Sequence, residues 1–152
     1  MHRVFRGVES DVPRRPTPLI ERTTGSCLCE AITFSVIGEV GPLLHCHCVN
    51  CRRASGNFVA ALGCDTAELE ILDPGALLTW YDLGYCKYGF CKACGSRMFW
   101  RGAEHEDRTS IQAGVIDDMT GQELAGVWFA PEAQPHHLVS PDVPHFVENG
   151  DL

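Results

Sequence analysis

Hydrophobic and polar positions alternate in short runs along most of this chain, most clearly at Ile32, Phe34 and Val36 with Thr33 and Ser35 between them. A period of two predicts a strand with one buried face, because successive side chains leave a strand on opposite sides. Leu43–Cys46, Phe58–Gly63, Leu69–Leu72, Leu77–Asp82, Ser96–Trp100 and Thr109–Val115 read as further strands. Gly38, Gly41-Pro42, Gly56, Pro74-Gly75, Gly84, Gly89 and Gly102 punctuate them, as turn-forming residues do. Helix signals are sparse: one turn after Cys51 and a short stretch within Asp117–Leu124. The expected fold is mainly β, built of many short antiparallel strands.

The flanks differ from this middle. Residues 1–22 carry Arg3, Arg6, Arg14, Arg15 and Arg22 with Pro13, Pro16 and Pro18, and show no periodicity. They read as an extended N-terminal arm, and residues 23–152 as one domain. The tail from Pro131 to Leu152 is rich in Pro and His and is expected to wrap the sheet as irregular chain.

Charge narrows the function. Twelve Lys and Arg against twenty Asp and Glu leave a formal net charge of −8, which repels phosphate backbones and argues against a nucleic-acid partner. No run of 18 apolar residues is present to span a membrane. Met1–Glu21 lacks the continuous apolar core of a secretory signal. A cytoplasmic setting is therefore expected, where thiols stay reduced and disulfides are the wrong default for nine cysteines.

Seven of those cysteines form three clusters: Cys27-Leu28-Cys29, Cys46-His47-Cys48-Val49-Asn50-Cys51 and Cys91-Lys92-Ala93-Cys94-Gly95. On extended chain, residues i and i+2 share a face, so Cys27 and Cys29 can converge on one ion. In Cys91-x-x-Cys94, Gly95 can take the positive φ that a tight turn around a metal needs. Two such pairs far apart in sequence make a closed four-thiolate zinc site, Cys27 and Cys29 joining Cys91 and Cys94. A closed shell leaves no position for substrate, so this zinc is structural.

Cys46, Cys48 and Cys51 supply three thiolates with no fourth cysteine nearby. Three ligands and an open position suit a catalytic zinc; the alternative is a second structural site completed by His45, His47, Cys64 or Cys86. Spacing alone leaves both open. His45 and His47 are expected on the face opposite the ligands. Cys64 reads as a small buried hydrophobe; for Cys86, five residues before Cys91, a resolving thiol or substitute ligand is the lesser alternative. Cys91-Lys92-Ala93-Cys94 lacks the βαβ context of a thiol–disulfide oxidoreductase. Asp117 and Asp118 read as a turn or cap, His136 and His137 as exposed or packing side chains, and Trp80, Trp100 and Trp128 as core or pocket wall.

Gly25-Ser26-Cys27-Leu28-Cys29-Glu30, Cys46-His47-Cys48-Val49-Asn50-Cys51-Arg52-Arg53-Ala54-Ser55-Gly56 and Phe90-Cys91-Lys92-Ala93-Cys94-Gly95-Ser96 resemble, in order, the motifs of the glutathione-dependent formaldehyde-activating enzyme family. That family includes the centromere protein V domain. The resemblance spans roughly Thr23 to Val115 and is looser in the tail with His136, His137 and His145. It implies an Mss4-like β fold with two zinc ions. Cys27, Cys29, Cys91 and Cys94 match the structural site; Cys46, Cys48 and Cys51 match the catalytic one. The implied activity is a carbon–sulfur lyase reaction joining a small thiol, glutathione or an analogue, to formaldehyde. Arg52 and Arg53 are candidate ligands for a glutathione carboxylate, since guanidinium matches carboxylate geometry. The rival reading is a non-catalytic zinc module presenting a β surface to a protein partner, because fold does not dictate function.

Overall fold

The computed structural model describes residues 22–149, so the arm expected over residues 1–22 lies, apart from Arg22, outside the described residues. Ten strands and one short α-helix follow in chain order. β1 (Thr23–Ser26), β2 (Thr33–Val36) and β5 (Leu69–Leu72) form a small antiparallel sheet in the order β1-β2-β5. The large sheet contains β3 (Leu43–Cys46), β4 (Val59–Asp65), β6 (Leu78–Asp82), β7 (Cys86–Cys91), β8 (Arg97–Gly102), β9 (Arg108–Gln112) and β10 (Leu124–Trp128). Its order is β10-β3-β4-β9-β8-β7-β6. Every pairing is antiparallel except β10 with β3. The helix α1 (Val49–Ser55) follows β3 directly.

The mainly β expectation holds, and the core follows from the alternation. Ile32, Phe34 and Val36 are buried, and the Phe34 ring meets Phe99 of β8 edge-on at 5.4 Å between centroids. Cys64, Met98 and Ile111 join the same core. Ser35, on the polar face of β2, is also covered, because Arg22 and Glu70 close over it and Arg22 donates to its hydroxyl at 2.9 Å. One face of the large sheet thus packs on the small sheet. Its other face, carrying Leu44, Cys46, Ala61, Ser110 and Gln112, opens into a cavity of about 440 Å³.

Three strands, β1, β7 and β10, escaped the pattern, and one expected helix is absent among the described residues. β7 contains Gly89, read as a break; it serves close approach instead, since the Trp80 ring and the Phe99 Cβ fill the space a side chain would need. β10 emerges where a helix was expected within Asp117–Leu124. Asp118 accepts from the Thr120 N–H, turning the chain, and Leu124 begins the strand beside β3. The local polar turn outcompetes a helix with no capping run behind it. The tail is irregular, as expected, and returns along β10, with Val127 donating to the Pro144 carbonyl and accepting from Phe146, both at 2.9 Å.

Candidate metal centres

Cys27 ends β1 inside a tight turn rather than on extended chain, which corrects the strand-face argument for this pair. Glu30 donates its N–H to the Cys27 carbonyl at 2.9 Å and takes a left-handed φ of 59°. A turn, not a pleat, brings the two sulfurs to 3.5 Å. Across the molecule Cys91 closes β7, Gly95 donates to its carbonyl at 2.8 Å, and Gly95 adopts the expected positive φ, 78°. Leu28 donates its N–H to the Ser96 hydroxyl, fastening the two turns together.

The sulfurs of Cys27, Cys29, Cys91 and Cys94 all lie within 4.8 Å of one another. Tetrahedral zinc with bonds of about 2.3 Å requires sulfur–sulfur edges of roughly 3.8 Å; Cys27–Cys29 at 3.5 Å and Cys29–Cys91 at 3.9 Å fit that frame. The Ile32 N–H points at the Cys27 sulfur at 3.4 Å. Hydrogen bonds from the Ser96 hydroxyl and N–H pull the Cys94 thiol down to about 5. Cys29, although favoured as a thiolate by the Ala31 N–H, is raised to about 11 by sharing hydrogen bonds with Cys27 and Cys94. Four soft donors that cannot all ionise together are suited to a divalent cation.

The second cluster is local. Cys46 ends β3, Cys48 is the N-cap of α1, and Cys51 stands in its first turn, its N–H donating to the Cys48 sulfur at 3.4 Å. The three sulfurs lie within 4.8 Å of one another. The hydrogen bond from Cys51 is the largest influence lowering Cys46, to about 7, while burial opposes it. Burial raises Cys48; the bond to Cys46, then burial, raises Cys51. The Glu132 carboxylate accepts the Val49 N–H at 2.9 Å, anchoring the start of α1. Asn50 donates to the Tyr85 hydroxyl at 3.0 Å, tying the helix to the loop before β7.

No fourth ligand completes this cluster among the described residues. His45 and His47 turn away as expected, their rings stacking near Phe58 at 4.4 and 5.0 Å. His47 is buried, with its Nδ1 at 3.0 Å from that of His137. The Gln134 N–H donates to His137 Nδ1, which makes His47 the donor between the rings. Cys64 and Cys86 are buried free thiols outside both clusters. Burial raises Cys64 to about 11.

Cys46 lines the 440 Å³ cavity with Trp100 and Trp128, and Cys48 lines a second cavity of about 760 Å³ with Tyr85, Cys86 and Tyr88. Arg52 and Arg53 occupy the last turn of α1 and line neither cavity. Arg97 and Arg108 do line the Cys46 cavity, and the Arg97 guanidinium lies 4.6 Å from the Tyr88 ring. Nothing in the sequence distinguished Arg97, because its direction depends on the register of β8.

Two all-cysteine clusters stitched into a small β scaffold define a β protein with two centres that could each hold a metal ion, one of four cysteines and one of three beside cavities. The family model for glutathione-dependent formaldehyde-activating enzyme matches residues 22–133, and the chain belongs to that family. The fold is also that of a Rhodobacter sphaeroides protein solved as a structural-genomics target. That structure has a TM-score of 0.52 and 20% identity over 80% of this chain and 98% of the other. No protein of curated function matches the sequence. Among the described residues no helix is long and apolar enough to cross a membrane.

Proposed function

We propose that this chain is a zinc-dependent carbon–sulfur lyase that forms or cleaves S-hydroxymethylglutathione from glutathione and formaldehyde, or the adduct of a related thiol–aldehyde pair. One observation carries the reading: three sulfurs converge without a fourth ligand, and two of them open onto cavities. Family membership supports the choice of thiol and aldehyde.

Cys27, Cys29, Cys91 and Cys94 would hold a structural zinc, and Cys46, Cys48 and Cys51 a catalytic one. A zinc ion held by three thiolates keeps a fourth position, where it lowers the pKa of an incoming thiol. In the reaction the thiol gives up its proton, a carbon–sulfur bond forms and the carbonyl π pair moves to oxygen. That oxygen takes up one proton, so that thiol and aldehyde add without loss of any atom. This chain's residues set the frame for it. β3 and the first turn of α1 fix the three ligands within six residues, so the thiol and aldehyde meet at a preset place. Trp100 and Trp128 wall the cavity and reduce competing water. Arg52 and Arg53, on the helix bearing Cys51, remain available to the far end of a long thiol such as glutathione. Free cysteines throughout are in keeping with a reducing, cytoplasmic setting.

The test is exchange NMR on formaldehyde, glutathione and their adduct with zinc-loaded protein. Acceleration that vanishes in Cys51→Ser, with the fold intact, is the expected result. Two bound zincs without acceleration for any thiol–aldehyde pair would sink the enzyme reading in favour of a binding module.

A further inference from the structure

Arg97 owes its position to one backbone irregularity. Gly89 opposes Phe99 while Phe90 opposes Arg97, so Met98 is an extra residue in β8. Regular alternation would send Arg97 to the core face with Phe99. The bulge gives that place to Met98 and turns Arg97 to the face of Trp100. Met98 and Phe99 are accordingly both fully buried, and Arg97 and Trp100 both line the cavity that reaches Cys46.

The guanidinium has no protein acceptor there. Its Nε and Nη1 are buried without a hydrogen-bond partner, and so is the indole Nε1 of Trp128, which lines the same cavity. None of the ion pairs among the described residues involves Arg97. In a chain of net charge −8, this cavity is lined by Arg97, Arg108 and His105 and by no Asp or Glu. Arg108 is already paired with Asp65. Buried N–H donors without acceptors are costly, most of all on a charged group. Stacking on Tyr88 restricts the plane of the guanidinium and leaves its edge free.

We infer that Arg97 and Trp128 form a carboxylate subsite beside the three-cysteine centre, so that the preferred thiols carry a carboxylate a short distance from sulfur. This rests on reading Cys46, Cys48 and Cys51 as the thiol site. A carboxylate supplies both the missing charge and the missing acceptors; a neutral thiol supplies neither.

Calorimetric titration of the zinc-loaded protein with 3-mercaptopropionate and 2-mercaptoethanol tests it without any turnover. The carboxylate thiol should bind about 10- to 100-fold tighter. Arg97→Met should erase that preference while leaving 2-mercaptoethanol affinity and two zincs per chain unchanged, and Arg97→Lys should restore part of it. On unaltered protein, methyl 3-mercaptopropionate should bind like 2-mercaptoethanol, which keeps the test intact if a variant misfolds. Equal affinities for acid and ester overturn the subsite. So does an equal loss for both thiols in Arg97→Met, which would make Arg97 a counter-charge to the cysteines. A carboxylate preference without formaldehyde chemistry upholds the subsite and removes only the lyase. Binding of neither thiol removes the thiol site, and this inference with it.

Discussion

The two cysteine clusters use the same chemistry in opposite surroundings. Cys27 and Cys91 are part of the hydrophobic core, at 1% and 0% exposure, while Cys94 is half-buried and Cys29 exposed, and Cys29 meets Cys91 across 62 residues of sequence. Cys46, Cys48 and Cys51 come from one strand end and one helical turn, half-buried beside cavities. Closing a long loop has an entropic cost that a bound metal would offset, so an ion at the first centre would stabilise the fold. The second closes almost no loop. Its ligand geometry is local, and what it gains from its position is access. Distance in sequence between the ligands is what separates the four-cysteine centre from the three-cysteine one.

The largest effect should come from breaking the four-cysteine centre. Structural zinc contributes apparent free energies of about 10–16 kcal/mol in small domains, comparable to a whole domain's stability. Cys91→Ser is expected to lose its cooperative thermal transition in circular dichroism. A variant that still melts cooperatively within a few degrees of the parent would remove the assignment. Cys51→Ser should instead keep its melt and fall from two zincs to one by elemental analysis. Loss of both ions would mean that the centres are not independent.

A chelator titration sharpens the same contrast. The accessible centre should release its ion first, at least about tenfold faster, and that phase should be missing in Cys51→Ser. A single phase for both ions would contradict the difference in ligand number.

The smallest effect concerns the tail that returns over β10. Burial holds His45 and His47 below the usual histidine value, with repulsion from His137 adding to His47. Burial also lowers His137. These groups stay neutral when folded, so the unfolded chain binds more protons below about pH 6.5. Their contribution is complete above that pH and fades as pH falls through the lowered folded values. Thermal midpoints from pH 7.5 to 5.5 should therefore decline less in His137→Phe than in the parent protein. Identical declines would show that the His47–His137 contact carries no pH dependence.

Much of this was legible beforehand because the signals are local. β3 and β5 follow directly from short apolar runs, and Cys46, Cys48 and Cys51 are neighbours wherever the chain goes. The convergence of Cys27 and Cys29 with Cys91 and Cys94 was readable from paired spacing, though a turn rather than a strand achieves it. β7 was hidden because Gly89 looks like a break until its neighbours are known, and β10 because its pairing with β3 leaves no alternation in the sequence.

By itself, the sequence determined the class of chemistry, since residue type and close spacing fix which donors can meet, and it determined the mainly β architecture through its alternation. Tertiary structure decided which cations face the second centre. Arg52 and Arg53 adjoin the cysteines in sequence yet line neither cavity, whereas Arg97, far along the chain, reaches the Cys46 cavity through one extra residue in β8. The physical reason is the pleat: a single inserted residue reverses the face of every side chain on one side of it, and only pairing with β7 reveals where that insertion falls.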